Sequence, residues 1–232
     1  MDNNDVAASL ISRSWEPKSN LLIEDFRKIG SNAVSTSPNQ NWNQNLRKKP
    51  NGRLELIVGP MFASKTTELI RHYNRYKVLD KNILAVNHTN DAKRYGSNNI
   101  TSHNHEIIEN CYSCENLNDI RDLEDYDNIE VILIDELQFF SDAFEFCTTA
   151  IDEDAKIIIA AGLDGDYQRR PFGDVLNLVP HAEIVTKVTA LCKRCNNGTS
   201  AVFTKRIVNS DSFILVGSSE SYEAVCRYHY NC

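Results

Sequence analysis

Leu54-Glu55-Leu56-Ile57-Val58-Gly59-Pro60-Met61-Phe62-Ala63-Ser64-Lys65-Thr66 is the stretch on which the fold turns. A short apolar run ends in Gly-Pro, which predicts a strand with a stop signal. Lys65 to Lys77 follows with Leu69, Tyr73 and Tyr76 at helical spacing, which predicts a helix. The residues between follow most of the pattern G-x-x-x-x-G-K-[ST], which requires this strand–turn–helix setting. Such a turn aims backbone N–H groups at phosphate oxygens, and the helix start adds its partial positive charge. Gly59, Pro60, Met61, Phe62, Ala63, Ser64, Lys65 and Thr66 are therefore the candidate phosphate cradle. Lys65 is expected to bridge β- and γ-phosphates and Thr66 to offer its hydroxyl to Mg²⁺. Ser64 stands where the pattern has its second glycine, a position where the backbone passes close to phosphate and can need unusual dihedrals. Serine there could be tolerated, add a contact, or weaken ATP binding.

Working outward, Ile83–Val86, Val131–Ile134 and Ile157–Ala161 are further continuously apolar runs bounded by polar residues. That is how strands buried on both faces read, so the expected fold is α/β, a parallel sheet flanked by helices. Ile134 runs into Asp135-Glu136, an acid-tipped strand in the right order after the phosphate turn. Asp135 is expected to hold the Mg²⁺ shell and Glu136 to take a proton from an attacking hydroxyl.

Cys192-x-x-Cys195 and Cys226-x-x-His229 form two pairs about 30 residues apart, spaced to close one tetrahedral structural zinc site. Cys232 is a rival fourth ligand with poorer spacing. Zinc would close a loop stiff enough to act as a lid. Around these pairs, Ala201–Thr204 and Ser212–Val216 read as short β runs of a small C-terminal module. Cys111-x-x-Cys114 lacks a partner pair and reads as reduced thiols. His103 and His105, in a polar loop, read as solvated.

The expected organisation is a polar extension over residues 1–52, an α/β domain over 53–190 and a zinc-binding module over 191–232. The first segment is rich in Asn and Ser and lacks apolar periodicity, apart from one short helical pattern between Leu21 and Ile29. It holds seven Lys and Arg against five Asp and Glu, so within the chain's net charge of −7 the remainder carries −9. An acidic chain with a pI near 5.4 does not favour gripping nucleic acid by its phosphates. No apolar run approaches the roughly 18 residues of a membrane span. Asp2 and Asp5 without an apolar stretch argue against a secretory leader, and Glu16, Glu24 and Asp25 against a mitochondrial one. Seven cysteines, an odd number clustered in short-spaced pairs, suit metal binding in a reducing, cytoplasmic setting.

With these pieces placed, the chain resembles the zinc-containing thymidine kinase family shared by animals, bacteria and large DNA viruses. The matching segments run in family order from about residue 53 to 230: Gly59-Pro60-Met61-Phe62 with Lys65-Thr66-Thr67-Glu68-Leu69, Ile134 to Phe140, Leu163 to Gly173, Leu176 to Pro180, Leu191-Cys192 with Cys195, Phe203-Thr204-Lys205-Arg206, and Gly217 with Tyr222 and Cys226 to His229. The resemblance implies ATP:thymidine 5′-phosphotransfer with Mg²⁺, and acceptance of deoxyuridine. It implies that Glu136 is the catalytic base and that Phe139 packs on the thymine ring. It implies that Met61, Leu163, Tyr167 and Phe172 line the base pocket. It also implies that Phe213 to Tyr222 form a lasso, with Leu215 and Gly217 meeting the thymine edge and Tyr222 closing over the nucleoside. A homotetramer and inhibition by thymidine triphosphate follow from the same likeness, while charge and the short apolar runs lead us to expect no nucleic-acid or membrane partner. Two departures touch phosphate handling. Ser64 replaces a glycine. The family's Asp-x-Arg-Tyr turn is here Asp91-Ala92-Lys93-Arg94-Tyr95, with one extra residue, so Arg94, or else Lys93, is the candidate phosphate cation. A homologue that binds nucleosides without catalysing is the alternative; a nucleic-acid ATPase with a zinc ribbon is the third reading.

Overall fold

The computed structural model describes residues 52–90, 99–102, 104–209 and 219–232. The helical pattern of 21–29, the Asp91–Tyr95 turn with Arg94, His103, the strand run of 212–216, and the lasso positions Leu215 and Gly217 lie outside these residues.

The apolar runs become β1 (Arg53–Gly59), β2 (Ile83–His88), β6 (Val131–Ile134) and β7 (Ile157–Leu163). They join β5 (Tyr112–Cys114) and β8 (Ile184–Lys187) in a six-stranded sheet of order β5-β2-β6-β7-β1-β8. Every pairing in it is parallel. Strand residues alternate between two faces, and both faces are covered. Leu54, Leu56, Ile132, Ile134 and Ile158 share one core with Phe140 and Phe146. Ile57, Val131, Leu133 and Ile159 share another with Leu69, Tyr73 and Tyr76. The second core is roofed by α1 (Lys65–Lys77), which therefore has the expected bounds and face. The first is roofed by α2 (Ala143–Asp152), which the sequence reading passed over. The short edge strands β5 and β8 also escaped it. All four residues of β8 are exposed, so no apolar run marks it.

A parallel sheet gathers the carboxyl ends of its strands on one edge, the usual place for a ligand. Gly59, Leu163 and Ile134 close adjacent strands β1, β7 and β6 there. Gly59 is required by close approach, since a Cβ would fall 2.3 Å from the Val188 carbonyl oxygen. β6 ends opposite Ala160, whereas β7 continues to Leu163. The chain leaving β6 can therefore turn over the exposed end of β7.

Towards the C-terminus come two antiparallel pairs. β9 (Ala190–Leu191) joins β10 (Ser200–Ala201), and β11 (Phe203–Arg206) joins β12 (Tyr222–Val225). The run expected over Ala201–Thr204 is thus two strands that change partner at Val202. A short helix, α3 (Arg227–Asn231), follows. β3 (Ile100–Thr101) and β4 (Ile107–Ile108) form a separate small ribbon.

Candidate active site

The phosphate turn is held in strained backbone. Phe62 and Ser64 both have positive φ, 66° and 61°. Ser64, the cap of α1, lies in the left-handed region that favours glycine and costs other residues about 1–2 kcal/mol. The substituted residue thus adopts the conformation that a glycine would take at no cost. Lys65 is buried and donates from Nζ to the Pro60 carbonyl at 2.9 Å, curling back over the turn. Burial lowers the pKa of its ammonium; Glu136, Asp135 and Asp164 oppose that by favouring the charged form. Lys65 therefore lies within electrostatic range of Glu136.

Thr66 Oγ1 donates to Asp135 Oδ2 at 3.0 Å. These two oxygens come from the start of α1 and the end of β6, and suit a hard cation such as Mg²⁺. Asp135 Oδ1 accepts the Glu136 backbone N–H at 3.0 Å. Glu136 itself has φ 53°, ψ 41°, a left-handed turn that ends β6 sharply and begins the 3₁₀ turn Leu137–Phe139. Non-glycine residues in this region are uncommon and cluster at functional sites.

Among the expected pocket residues, Phe139 and Phe172 meet edge-to-face at 5.7 Å between ring centres. His88 lies against Phe139 on another side, at 5.7 Å. Leu163 closes β7 beside them. Met61 donates its backbone N–H to Thr204 Oγ1 at 3.0 Å, which ties the phosphate turn to β11. The ring of Tyr167 lies 3.8 Å from the Arg206 guanidinium carbon, and Arg206 also donates to the Tyr222 hydroxyl at 3.0 Å. Tyr167 and Tyr222 are thus brought together through a residue that the sequence reading placed only in a family segment. Asp166 was likewise placed only in a family segment, with no role given. Its Oδ1 accepts the backbone N–H groups of Gln168 and Arg170 at 2.8 and 2.9 Å, and this turn presents Tyr167. An aspartate bonding backbone two residues on is a turn signal that the sequence does contain.

The sulfurs of Cys192, Cys195 and Cys226 and Nδ1 of His229 lie within 4.8 Å of one another. Cys195 and Cys226 sulfurs are 3.7 Å apart, and His229 Nδ1 is 3.3–3.6 Å from the three sulfurs. A tetrahedron with Zn–S arms of about 2.3 Å has edges of roughly 3.8 Å, shorter where nitrogen replaces sulfur, so the donors fit zinc. Burial pushes the Cys192 thiol up, yet the backbone groups of Cys226 and Cys195 and the His229 ring outweigh this and hold it well below the usual thiol range. A thiolate is the metal-binding form. Cys232 is exposed and outside this group; its carbonyl accepts from Lys205 Nζ at 2.7 Å. Cys111 and Cys114 are instead buried free thiols, pushed up by burial to about 11 and about 12. His105 is exposed in its loop.

The knuckle meets the phosphate turn directly. Ala63 belongs to the small core formed by Ala190, Cys192, Ala201, Val225 and Cys226, with Phe62 packed against it. From the other side, Tyr230 of α3 donates its hydroxyl to the Tyr167 carbonyl at 2.8 Å.

A parallel α/β sheet whose carboxyl edge sets a lysine-bearing turn against paired carboxylates defines the class: an enzyme that transfers phosphoryl groups. A family model described as thymidine kinase matches residues 52–230. A thymidine kinase of Oryza sativa subsp. japonica is 41% identical over 182 residues, covering 77% of this chain and 66% of the rice protein. That of Vaccinia virus (strain Western Reserve) is 40% identical over 181 residues, covering 77% of this chain and 97% of the viral one. Thymidine kinase a of Arabidopsis thaliana is 39% identical over 188 residues, covering 80% and 77%. The chain belongs to the thymidine kinase family. Among the described residues no helix is long and apolar enough to cross a membrane.

Proposed function

We propose that the protein transfers the γ-phosphoryl group of ATP to the 5′-hydroxyl of thymidine, and of deoxyuridine, giving the nucleoside monophosphate and ADP. The observation that carries this reading is the convergence of Lys65, Thr66, Asp135 and Glu136 on one end of the sheet, beside the Phe139–Phe172 pair.

The phosphates would lie along the 59–66 turn, where Lys65 would release Pro60 to meet them. Thr66 and Asp135 would hold Mg²⁺, which when bound neutralises charge on the β- and γ-oxygens. Glu136 would accept the proton of the 5′-hydroxyl as that oxygen attacks phosphorus and the bond to ADP breaks. Phe139 would stack on the base, with Phe172, Leu163 and Tyr167 as walls and Tyr222 as the closing side. The knuckle, with zinc bound by Cys192, Cys195, Cys226 and His229, would fix β11, β12 and α3. Water is then kept out, which favours transfer to the nucleoside over hydrolysis. The family's tetramer, its inhibition by thymidine triphosphate and a cytoplasmic location belong to the same reading.

The test is a nucleoside panel with ATP and Mg²⁺, measuring monophosphate formation. Thymidine and deoxyuridine are expected to react, and no product from thymidine would sink the proposal. The left-handed Ser64 favours one second reading, a homologue that binds thymidine without turning it over. In that case the wild type is silent and Ser64→Gly is active.

A further inference from the structure

Gln138 lies between two parts of the site and bonds to both. It is buried, at 4% exposure, in the 3₁₀ turn that follows Glu136. Its Oε1 accepts the backbone N–H of Leu163 at 2.8 Å. Its Nε2 donates to Glu136 Oε2. These neighbours fix the amide's orientation, because a backbone N–H needs an oxygen opposite it and a carboxylate needs an N–H. The opposite flip would lose both bonds.

The register explains why this side chain is needed. β6 stops opposite Ala160, three residues before β7 ends. At Leu163 the strand on that side is gone, and an unpaired buried N–H costs about 1–3 kcal/mol. The Gln138 amide replaces the missing strand. The backbone of Gln138 is pinned as well. Gly173, at φ 57°, comes so close that a Cβ would fall 2.5 Å from the Gln138 carbonyl oxygen. That approach brings the loop carrying Phe172 down on Phe139. One residue thus joins the end of β7, the aromatic pair and the carboxylate of Glu136.

We infer that Gln138 is the positioning residue of the catalytic base: it holds one carboxylate oxygen of Glu136 and so directs the other at the nucleoside hydroxyl. The inference rests on the reading of Glu136 as the base. Gln138 touches no reacting atom; it acts through Glu136. A carboxylate free to rotate would spend less time in reach of the hydroxyl, and misplacement by about 1 Å can cost up to about 100-fold in rate.

Two variants test this. Gln138→Met fills the space and removes both bonds. Its kcat is expected to fall about 10- to 100-fold while KM for thymidine changes less than about threefold. Gln138→Glu keeps the acceptor for Leu163 and can donate to Glu136 only while the two carboxyls share a proton. Its kcat relative to wild type should therefore fall steadily as pH rises from about 6 to about 9, the behaviour of a coupled carboxyl pair. A merely structural role would give parallel profiles. Thymidine binding, measured by calorimetry on both variants, verifies that the pocket is folded. Wild-type kcat in Gln138→Met, or a Gln138→Glu profile parallel to wild type, overturns the inference. If instead Glu136→Gln itself retains turnover, the assignment of the base has failed, which is a different result.

Discussion

The phosphate turn is mounted on strands whose flanking cores hold Leu, Ile and Phe side chains fully removed from water. The metal knuckle leans on a core of seven small residues, Ala63, Ala190, Cys192, Ala201, Ala224, Val225 and Cys226. Four of the seven are alanines, and the larger Phe62, Phe203 and Tyr230 pack on them only partly buried, so less apolar area stabilises it than stabilises the sheet. The sheet can therefore hold strained residues such as Ser64 and Glu136 in place without help. The knuckle holds β9 to β12 with less burial, and its four Cys and His donors are placed where a metal ion could add to it.

The largest expected effect separates the two regions cleanly. Glu136→Gln should lower turnover by about 10²- to 10⁴-fold, the usual worth of a general base. Thymidine binding and zinc content should stay as they are, because the change lies wholly on the edge; steady-state kinetics with calorimetry and metal analysis would check this. Near-normal turnover would remove the base assignment. The second effect runs the other way. Cys192→Ser, or removal of the metal with a chelator, should release zinc and open the 190–230 region to protease. KM for thymidine should rise about tenfold or more, since Tyr167 and Tyr222 lose their supports, on the order of 1–3 kcal/mol. The sheet's far-ultraviolet circular dichroism should persist, and its collapse would show that the knuckle is part of the main folding unit. The smallest effect sharpens the account of the edge. Ser64→Gly should relieve left-handed strain worth about 1–2 kcal/mol, offset in part by roughly 0.4–1 kcal/mol of added freedom in the unfolded chain. Urea denaturation should then show a gain between zero and about 1.6 kcal/mol, and KM for ATP should not rise. A clear loss of stability would mean that the Ser64 side chain contributes a contact of its own.

Much of this was legible in the chain. Continuous apolar runs marked β1, β2, β6 and β7 because strands buried on both faces admit few polar residues. The α1 bounds followed from the spacing of Leu69, Tyr73 and Tyr76. The Cys and His pairs foretold one cluster, and the folded chain favours His229 over Cys232 by placing its ring nitrogen among the sulfurs. What escaped was set by neighbours distant in sequence. β8 is exposed along its length and is a strand because β1 lies beside it. Gln138 is an ordinary polar residue until the Leu163 N–H, 25 residues away, is brought to its amide oxygen.

The order of the segments by itself determined the kind of protein, because a turn that cradles phosphate and an acid-tipped strand must each follow an apolar run. Spacing also determined that the Cys and His pairs of the knuckle could meet, since two residues between donors is a local geometry, while the folded chain chose His229 over Cys232. Only the tertiary structure decided that Ser64 takes a left-handed conformation, that Phe62 and Ala63 pack into the knuckle, and that Gln138 joins Glu136 to Leu163. The last two depend on where β6 ends against β7 and on how β11 meets the phosphate turn. Both are register relations between strands far apart in the chain, and no local pattern of residues encodes them.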